Sequence, residues 1–232
     1  YFGRVQYNFD EKYLVNATLR ADGSSKLIKG NKFRYFPSVS LGWVVTQEKF
    51  PLPDIINFLK VRASWGRNGS IGSLNNFEYV STIVSNEEAS YYLSGGTKLT
   101  GSEPSQLANP DLVWETSDQI DIGFDIYLFQ SQITLSTDYF RKKTIDLITD
   151  GPVAFYTGND KPSYNAGDVV NQGLELELGL KKKIGDFSYD ISAAVSYLKN
   201  EVTYIGNKAS ALTGANLGTL GAITRSEEGK PL

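Results

Sequence analysis

Over most of this chain apolar and polar residues alternate one for one. Side chains on a strand point to opposite faces in turn, so such runs build ribbons with one apolar and one polar face; a helix needs a period of 3.6. In Tyr1–Phe9 the odd positions are Tyr, Gly, Val, Tyr and Phe, and the even ones Phe, Arg, Gln and Asn. Tyr13–Asp22 and Tyr35–Thr46 repeat the pattern, the second with Val39, Leu41 and Trp43 against Ser38, Ser40 and Gly42. Leu59–Gly66 sets Leu59, Val61, Ala63 and Trp65 against Lys60, Arg62 and Ser64. Trp114–Leu128, Ile133–Ile148, Val170–Leu180 and Phe187–Lys199 follow the same rule. The expectation is an all-β antiparallel chain of about eight strands, with one helical turn over Pro51–Asn57.

The connections add a second constraint. They alternate between short and long: a tight turn at Asp10–Lys12, a loop over Gly23–Arg34, a modest link over Gln47–Asn57, a very long loop over 68–113, a tight turn near Gln130, a loop over 149–168, a tight turn at Ile184–Asp186, and a tail from residue 203 to 232. An antiparallel sheet with this parity gathers all its long loops at one end. Membrane barrels do so, with short periplasmic turns and long external loops. Several strands also exceed the usual five or six residues and reach the roughly 9–11 that a tilted strand needs to cross a bilayer.

Composition agrees and removes alternatives. No apolar run approaches the length of a transmembrane helix, but alternating barrel strands average out to a polar composition. Aromatic residues make up 12%, with 14 Tyr, and Tyr13, Tyr35, Trp65 and Phe187 near strand ends suit an interfacial girdle. There is no Cys and no His among the 232 residues. Disulfides, thiolate metal sites and the commonest general base and metal ligand are therefore excluded. A net charge of −3 without a basic patch argues against nucleic acid as a partner. No cofactor, metal site or enzymatic activity is expected. The chain opens at Tyr1 directly in a strand pattern, and the expectation is a fragment of a longer protein.

Short motifs read as structure. Asp22-Gly23-Ser24-Ser25 is a turn, because Asp, Gly and Ser bond nearby backbone or tolerate unusual φ. Asn109-Pro110-Asp111 is a loop-to-strand junction. Gly66-Arg67-Asn68-Gly69 lacks the strand–helix setting of a phosphate loop and reads as a strand exit. Glu175 with Glu177, and Asp121 with Asp125, share a strand face as paired glycosidase carboxylates could. On a wetted face, however, carboxylates need no special role. The face opposite the apolar one carries Arg20, Lys60, Arg62, Asp121, Asp125, Glu175 and Glu177, which in a wide barrel meet water and face the lumen. Phe77, Tyr79, Tyr91 and Tyr92 in the longest loop, Trp114 just beyond it, and Phe155 and Tyr156 in the next long loop are the candidates for substrate contact. Aromatic faces stack on sugar rings or bury peptide side chains.

Six segments resemble the SusC/RagA family of TonB-linked outer-membrane transporters: Arg20–Leu27 (RADGSSKL), Phe36–Trp43 (FPSVSLGW), Leu59–Gly69 (LKVRASWGRNG), Asn109–Asp125 (NPDLVWETSDQIDIGFD), Asp138–Ile148 (DYFRKKTIDLI) and Asn165–Leu178 (NAGDVVNQGLELEL). They occur in the family's order and cover most of residues 1–201. The resemblance implies an outer-membrane barrel of about 22 strands, of which this chain supplies roughly a third. It also implies a plug and a TonB-contacting segment outside this chain, a SusD-like surface lipoprotein as partner, and oligosaccharides or peptides as substrates, with membrane lipid around the wall. Residues 1–202 are then barrel strands with external loops over 68–113 and 149–168, and residues 203–232 an external loop or tail. Two other architectures fit the alternation alone: a soluble β-sandwich that binds glycans, and a small closed eight-stranded barrel acting as anchor or adhesin.

Overall fold

In the computed structural model, residues 1–49, 51–92, 96, 98–151, 162–206, 212–213 and 225–232 are described, with the backbone alone at 86–92, 104–106 and 212–213. In chain order the strands are β1 (Phe2–Phe9), β2 (Tyr13–Gly23), β3 (Phe33–Val44), β4 (Ile56–Ser70), β5 (Thr82–Tyr92), β6 (Lys98–Gln106), β7 (Glu115–Leu128), β8 (Ile133–Ile145), β9 (Ile148–Asp150), β10 (Ser163–Asn165), β11 (Gly167–Ile184), β12 (Phe187–Ile205), β13 (Leu212–Thr213) and β14 (Arg225–Ser226). Eight of them form one antiparallel sheet in the order β1-β2-β3-β4-β7-β8-β11-β12. These are the eight alternating segments of the sequence. With β1 and β12 at its two edges, the sheet is neither a sandwich nor a closed eight-stranded barrel.

The strands are staggered as well as long. The row that starts at Tyr13, the first residue of β2, passes through Trp43, Val61, Phe124, Thr137 and Leu176 to Val195, eight residues above the start of β12 at Phe187. Over six strand-to-strand steps, at about 3.3 Å per residue and about 4.8 Å per strand, that offset tilts the strands by about 40°, the inclination of closed barrels.

Short and long connections segregate to opposite ends, as the sequence parity requires. At the short end the β1–β2 turn places Asp10 and Glu11 at φ 54° and 55°, with Lys12 N donating to Phe9 O at 2.9 Å. Both central residues at positive φ give a turn whose twist matches that of the flanking strands. Gly185 closes the β11–β12 turn at φ 61°, a conformation that glycine adopts without strain. Tyr13 donates to Glu48 Oε1 at 2.6 Å, and that hydrogen bond holds the Glu48 carboxyl below its ordinary range.

Three expectations need correction. Pro51–Asn57 holds a reverse turn closed by Ile56 N to Pro53 O at 2.9 Å, and the one 3-10 turn among the described residues is Val45–Gln47. The residue before a proline is pushed out of the helical region, which disfavours a helical turn through Leu52. The stretch 68–113 is not all loop: β4 continues to Ser70, and β5 pairs with β6 as a separate hairpin. The 149–168 loop likewise contains the β9–β10 pair and the start of β11. Beyond β12, the chain returns at residues 227–232: Val202 N donates to Lys230 O at 2.9 Å and Leu232 N to Asn200 Oδ1 at 2.6 Å.

The buried core sits at the long-loop end, not within the sheet. Leu27, Phe36, Leu74, Leu112, Trp114 and Ile148 form one cluster, which joins the β2–β3, β4–β7 and β8–β11 connections. A second, smaller cluster holds Val169, Val202 and Ile205, with Leu147 packed against it. The sheet itself leaves its apolar residues uncovered, with Leu41 at 52%, Leu174 at 56%, Ile191 at 59% and Val195 at 66% exposure.

Candidate functional site

Strand register decides which side chains share a face, since directly paired residues point the same way. One row runs Leu14, Gly42, Arg62, Gly123, Asp138, Glu175, Ser196, and a neighbouring row Asn16, Ser40, Ser64, Asp121. A third begins at Lys60 and continues through Asp125, Ser136 and Glu177. Arg20, paired with Phe36, belongs to the same face. The seven residues expected there therefore share one polar wall. The opposite face carries Val39, Trp65 and Ile120 in one row and Leu41, Ala63, Ile122, Tyr139, Leu174 and Tyr197 in another.

The wall is organised around Arg62. Its Nη2 donates to Asp138 Oδ2 at 2.9 Å, to Asp125 Oδ1 at 3.1 Å and to Ser136 Oγ at 3.2 Å, and Nε lies 3.0 Å from Asp125 Oδ2. Ser136 Oγ in turn donates to Asp125 Oδ1 at 2.8 Å. The guanidinium reaches β8 from β4 only because Gly123 stands between them on β7. A Cβ at that position would collide with the Asp138 carboxylate and come within 2.6 Å of Thr137 O. Replacing Gly123 with valine should therefore destabilise the sheet by about 1–3 kcal/mol through overpacking, read as a lower denaturation midpoint of the refolded barrel.

Elsewhere on the wall Gln119 Nε2 donates to Asp121 Oδ2 at 3.0 Å. Arg20 pairs with Asp22 at 2.8 Å and lies 5.3 Å from the centre of the Phe36 ring. Glu175 and Glu177 are exposed, and Lys60 makes no ion pair among the described residues. A hollow of about 530 Å³ opens between Asn16, Ser40, Lys60, Arg62, Asp121 and Asp138. Alternation alone sets Asp138 on the polar face of its strand, but its contact with Arg62 and the role of Gly123 lie in register across three strands and not in spacing along one.

At the long-loop end two asparagines act as clamps. Asn165 Nδ2 donates to Val113 O at 3.0 Å and Asp146 O at 2.8 Å, while its Oδ1 accepts Val113 N at 2.9 Å. Asn109 Nδ2 donates to Ser163 O at 2.7 Å, and Asn109 Oδ1 accepts Asp111 N at 3.2 Å, the side-chain turn expected of Asn109-Pro110-Asp111. At Asp22-Gly23-Ser24-Ser25, Ser24 Oγ likewise accepts Lys26 N at 3.2 Å.

The aromatic candidates divide. Trp114 is only 6% exposed: its ring meets Phe36 edge-on at 5.7 Å and its Nε1 donates to Lys32 O at 3.2 Å, so it packs the loop core. Phe77 is 59% exposed, at φ 66°, with its ring 6.4 Å from that of Tyr79. Tyr91 and Tyr92 lie on β5 opposite Leu99 and Lys98. Phe155 and Tyr156 fall outside the described residues.

The family described as "TonB dependent receptor-like, beta-barrel" matches residues 1–224. The chain belongs to the TonB-dependent receptor β-barrel family. Its resemblance to the SusC/RagA branch is matched by TonB-dependent receptor SusC of Bacteroides thetaiotaomicron, 33% identical over 207 residues that make up 88% of this chain and 20% of the relative. TonB-dependent receptor P3 of Formosa agariphila is 35% identical over 202 residues, 86% of this chain and 20% of that protein. The chain thus spans about a fifth of the length of these TonB-dependent receptors. A structure of the RagAB peptide transporter superposes with a TM-score of 0.85 over 99% of this chain and 24% of that one, at 24% identity. The match places the eight-stranded sheet as a segment of a TonB-dependent receptor barrel.

Proposed function

We propose that this chain is part of the wall of an outer-membrane importer, driven through TonB, that takes up oligosaccharides or peptides together with a SusD-like surface lipoprotein. The observation that carries the reading is the two-faced sheet: an apolar face with no protein cover among the described residues, backed by a charged and hydrogen-bonded one. A soluble protein rarely exposes so continuous an apolar surface, whereas a barrel wall must. On this reading residues 1–202 are the barrel portion, the apolar face meets lipid, and Arg20, Lys60, Arg62, Asp121, Asp125, Glu175 and Glu177 face the lumen. The end with the long connections is external, and residues 203–232 are an external loop or tail.

Substrate contact is assigned first to Phe77, which is exposed, and to Tyr79, half-buried beside it with the two rings 6.4 Å apart. Tyr91 and Tyr92 on β5 are assigned with them, as are Phe155 and Tyr156, which lie outside the described residues. Trp114 packs into the buried loop core with Leu27, Phe36, Leu74, Leu112 and Ile148. TonB acts on a part of the protein outside this chain. The family relatives named above support the transport class, and the name of one superposed structure, a peptide transporter, describes that protein.

The test is purification of the full-length protein from outer membranes in mild detergent, with mass spectrometry of what accompanies it. A lipoprotein partner and a bound glycan or peptide are expected. A protein recovered soluble, or from the membrane without either, overturns the importer reading.

A further inference from the structure

The upper boundary of the apolar face is not level across the sheet. On β4 and β7 the last apolar pair is Trp65 with Ile120, and the next pair on that face is Arg67 with Asp118, joined by hydrogen bonds of 2.6 and 2.7 Å. On β8, β11 and β12 the change comes one row lower: Ile120 is followed across the sheet by Arg141, Gln172 and Lys199. A horizontal membrane boundary must cut diagonally through hydrogen-bonded rows when the strands tilt by about 40°. The step from Trp65 and Ile120 to Arg141, Gln172 and Lys199 is therefore one boundary crossing tilted strands.

Directly below this polar row lie Tyr139, Leu174 and Tyr197, exposed by 39%, 56% and 67%. The sheet thus presents two tyrosines at the edge of the apolar band and two cations above them, with the amide of Gln172 between. Arg141 and Lys199 sit two strands apart, about 10 Å. Arg141 is exposed and has no ion-pair partner among the described residues. Lys199 is held by Glu201 at 2.8 Å, and the neighbouring Lys143 by Asp168 at 3.2 Å. In the same hydrogen-bonded row β2 and β3 carry Ala17 and Val39, both apolar, as the diagonal boundary requires.

We infer that Arg141, Gln172 and Lys199 form a docking site for the phosphate of an outer-leaflet lipid, whose acyl chains lie on Leu174, Leu176 and Val195. The site rests on the proposed membrane placement of the sheet. Charge complementarity and continuity with the apolar band select this occupant. A guanidinium and an ammonium flanking an amide supply three donor groups to one anion, and the chains of the same molecule extend along the uncovered leucines. A free anion in solution gains nothing from the apolar band.

Full-length protein in mild detergent would be titrated with a monophosphorylated lipid A, with its dephosphorylated form, and with inorganic phosphate, and binding counted by native mass spectrometry. The expected result is binding of the phosphorylated lipid that weakens at least tenfold in the Arg141→Gln, Lys199→Gln double variant. It should be unchanged in Lys142→Gln, which alters the neighbouring residue on the polar face. Equal binding by the double variant, equal binding of the dephosphorylated lipid, or displacement by millimolar phosphate overturns the proposal. Recovery of the protein from the membrane, with its lipoprotein partner, is read from the same preparation, so failure of the importer reading is distinguishable from failure of this site.

Discussion

Replacement of Trp114 by alanine is expected to detach the long connections from the top of the sheet while leaving the strands paired. Trp114 is buried against Leu27, Leu74, Leu112 and Ile148, which come from three separate connections, and against Phe36 of β3. Truncating a buried tryptophan removes its transfer free energy and leaves a cavity, about 3–5 kcal/mol together. Gly69 shows how closely the site is packed: a Cβ there would collide with the Phe36 ring and lie 3.2 Å from Trp114 Cε3. The loss should appear as faster hydrogen exchange at Leu27, Leu112, Val113 and Ile148, with the amides of β11 and β12 unchanged. Unchanged exchange at all four would show that the three connections do not share a core.

Replacement of Leu176 by arginine should destabilise the barrel in lipid by about 2–4 kcal/mol, the range for a basic residue near the bilayer midplane. Leu176 lies in the row of Trp43, Val61 and Phe124, and is 44% exposed with no protein group to pair an added charge. The same substitution at Ser196, on the opposite face beside Glu175, should fall within about 1 kcal/mol, because the charge meets a carboxylate in a wet setting. Denaturant titrations of the two variants refolded in vesicles compare them directly. Equal losses would mean that the two faces do not differ in solvent.

The eight wall strands were legible because each faces two different environments, and that difference writes itself as alternation. Strands β5 and β6 carry no such record: Ile83 and Ser85 share a face of β5 and are both exposed, one apolar and one polar. The loop core was hidden for another reason. Leu27, Leu74 and Leu112 are single apolar residues in polar stretches, and only the folded chain brings them together. Among site residues, Arg62 and Asp125 could be read from the polar face of their strands. Asp138 needed the register that sets Gly123 between it and Arg62. Trp114 was drawn toward ligand contact by its chemistry, but it lies in the β4–β7 connection immediately before β7 and turns into the loop core.

The most direct test of the two-faced wall compares adjacent positions on β4, with Ala63→Cys and Ser64→Cys made in turn in the full-length protein. A membrane-impermeant thiol reagent is applied to each. Ala63 shares the face of Leu41 and Ile122, and Ser64 that of Ser40 and Asp121. Labelling at position 64 with position 63 spared is the predicted result. The reverse pattern would place Lys60 and Arg62 against lipid and contradict the assignment of the polar face to the lumen.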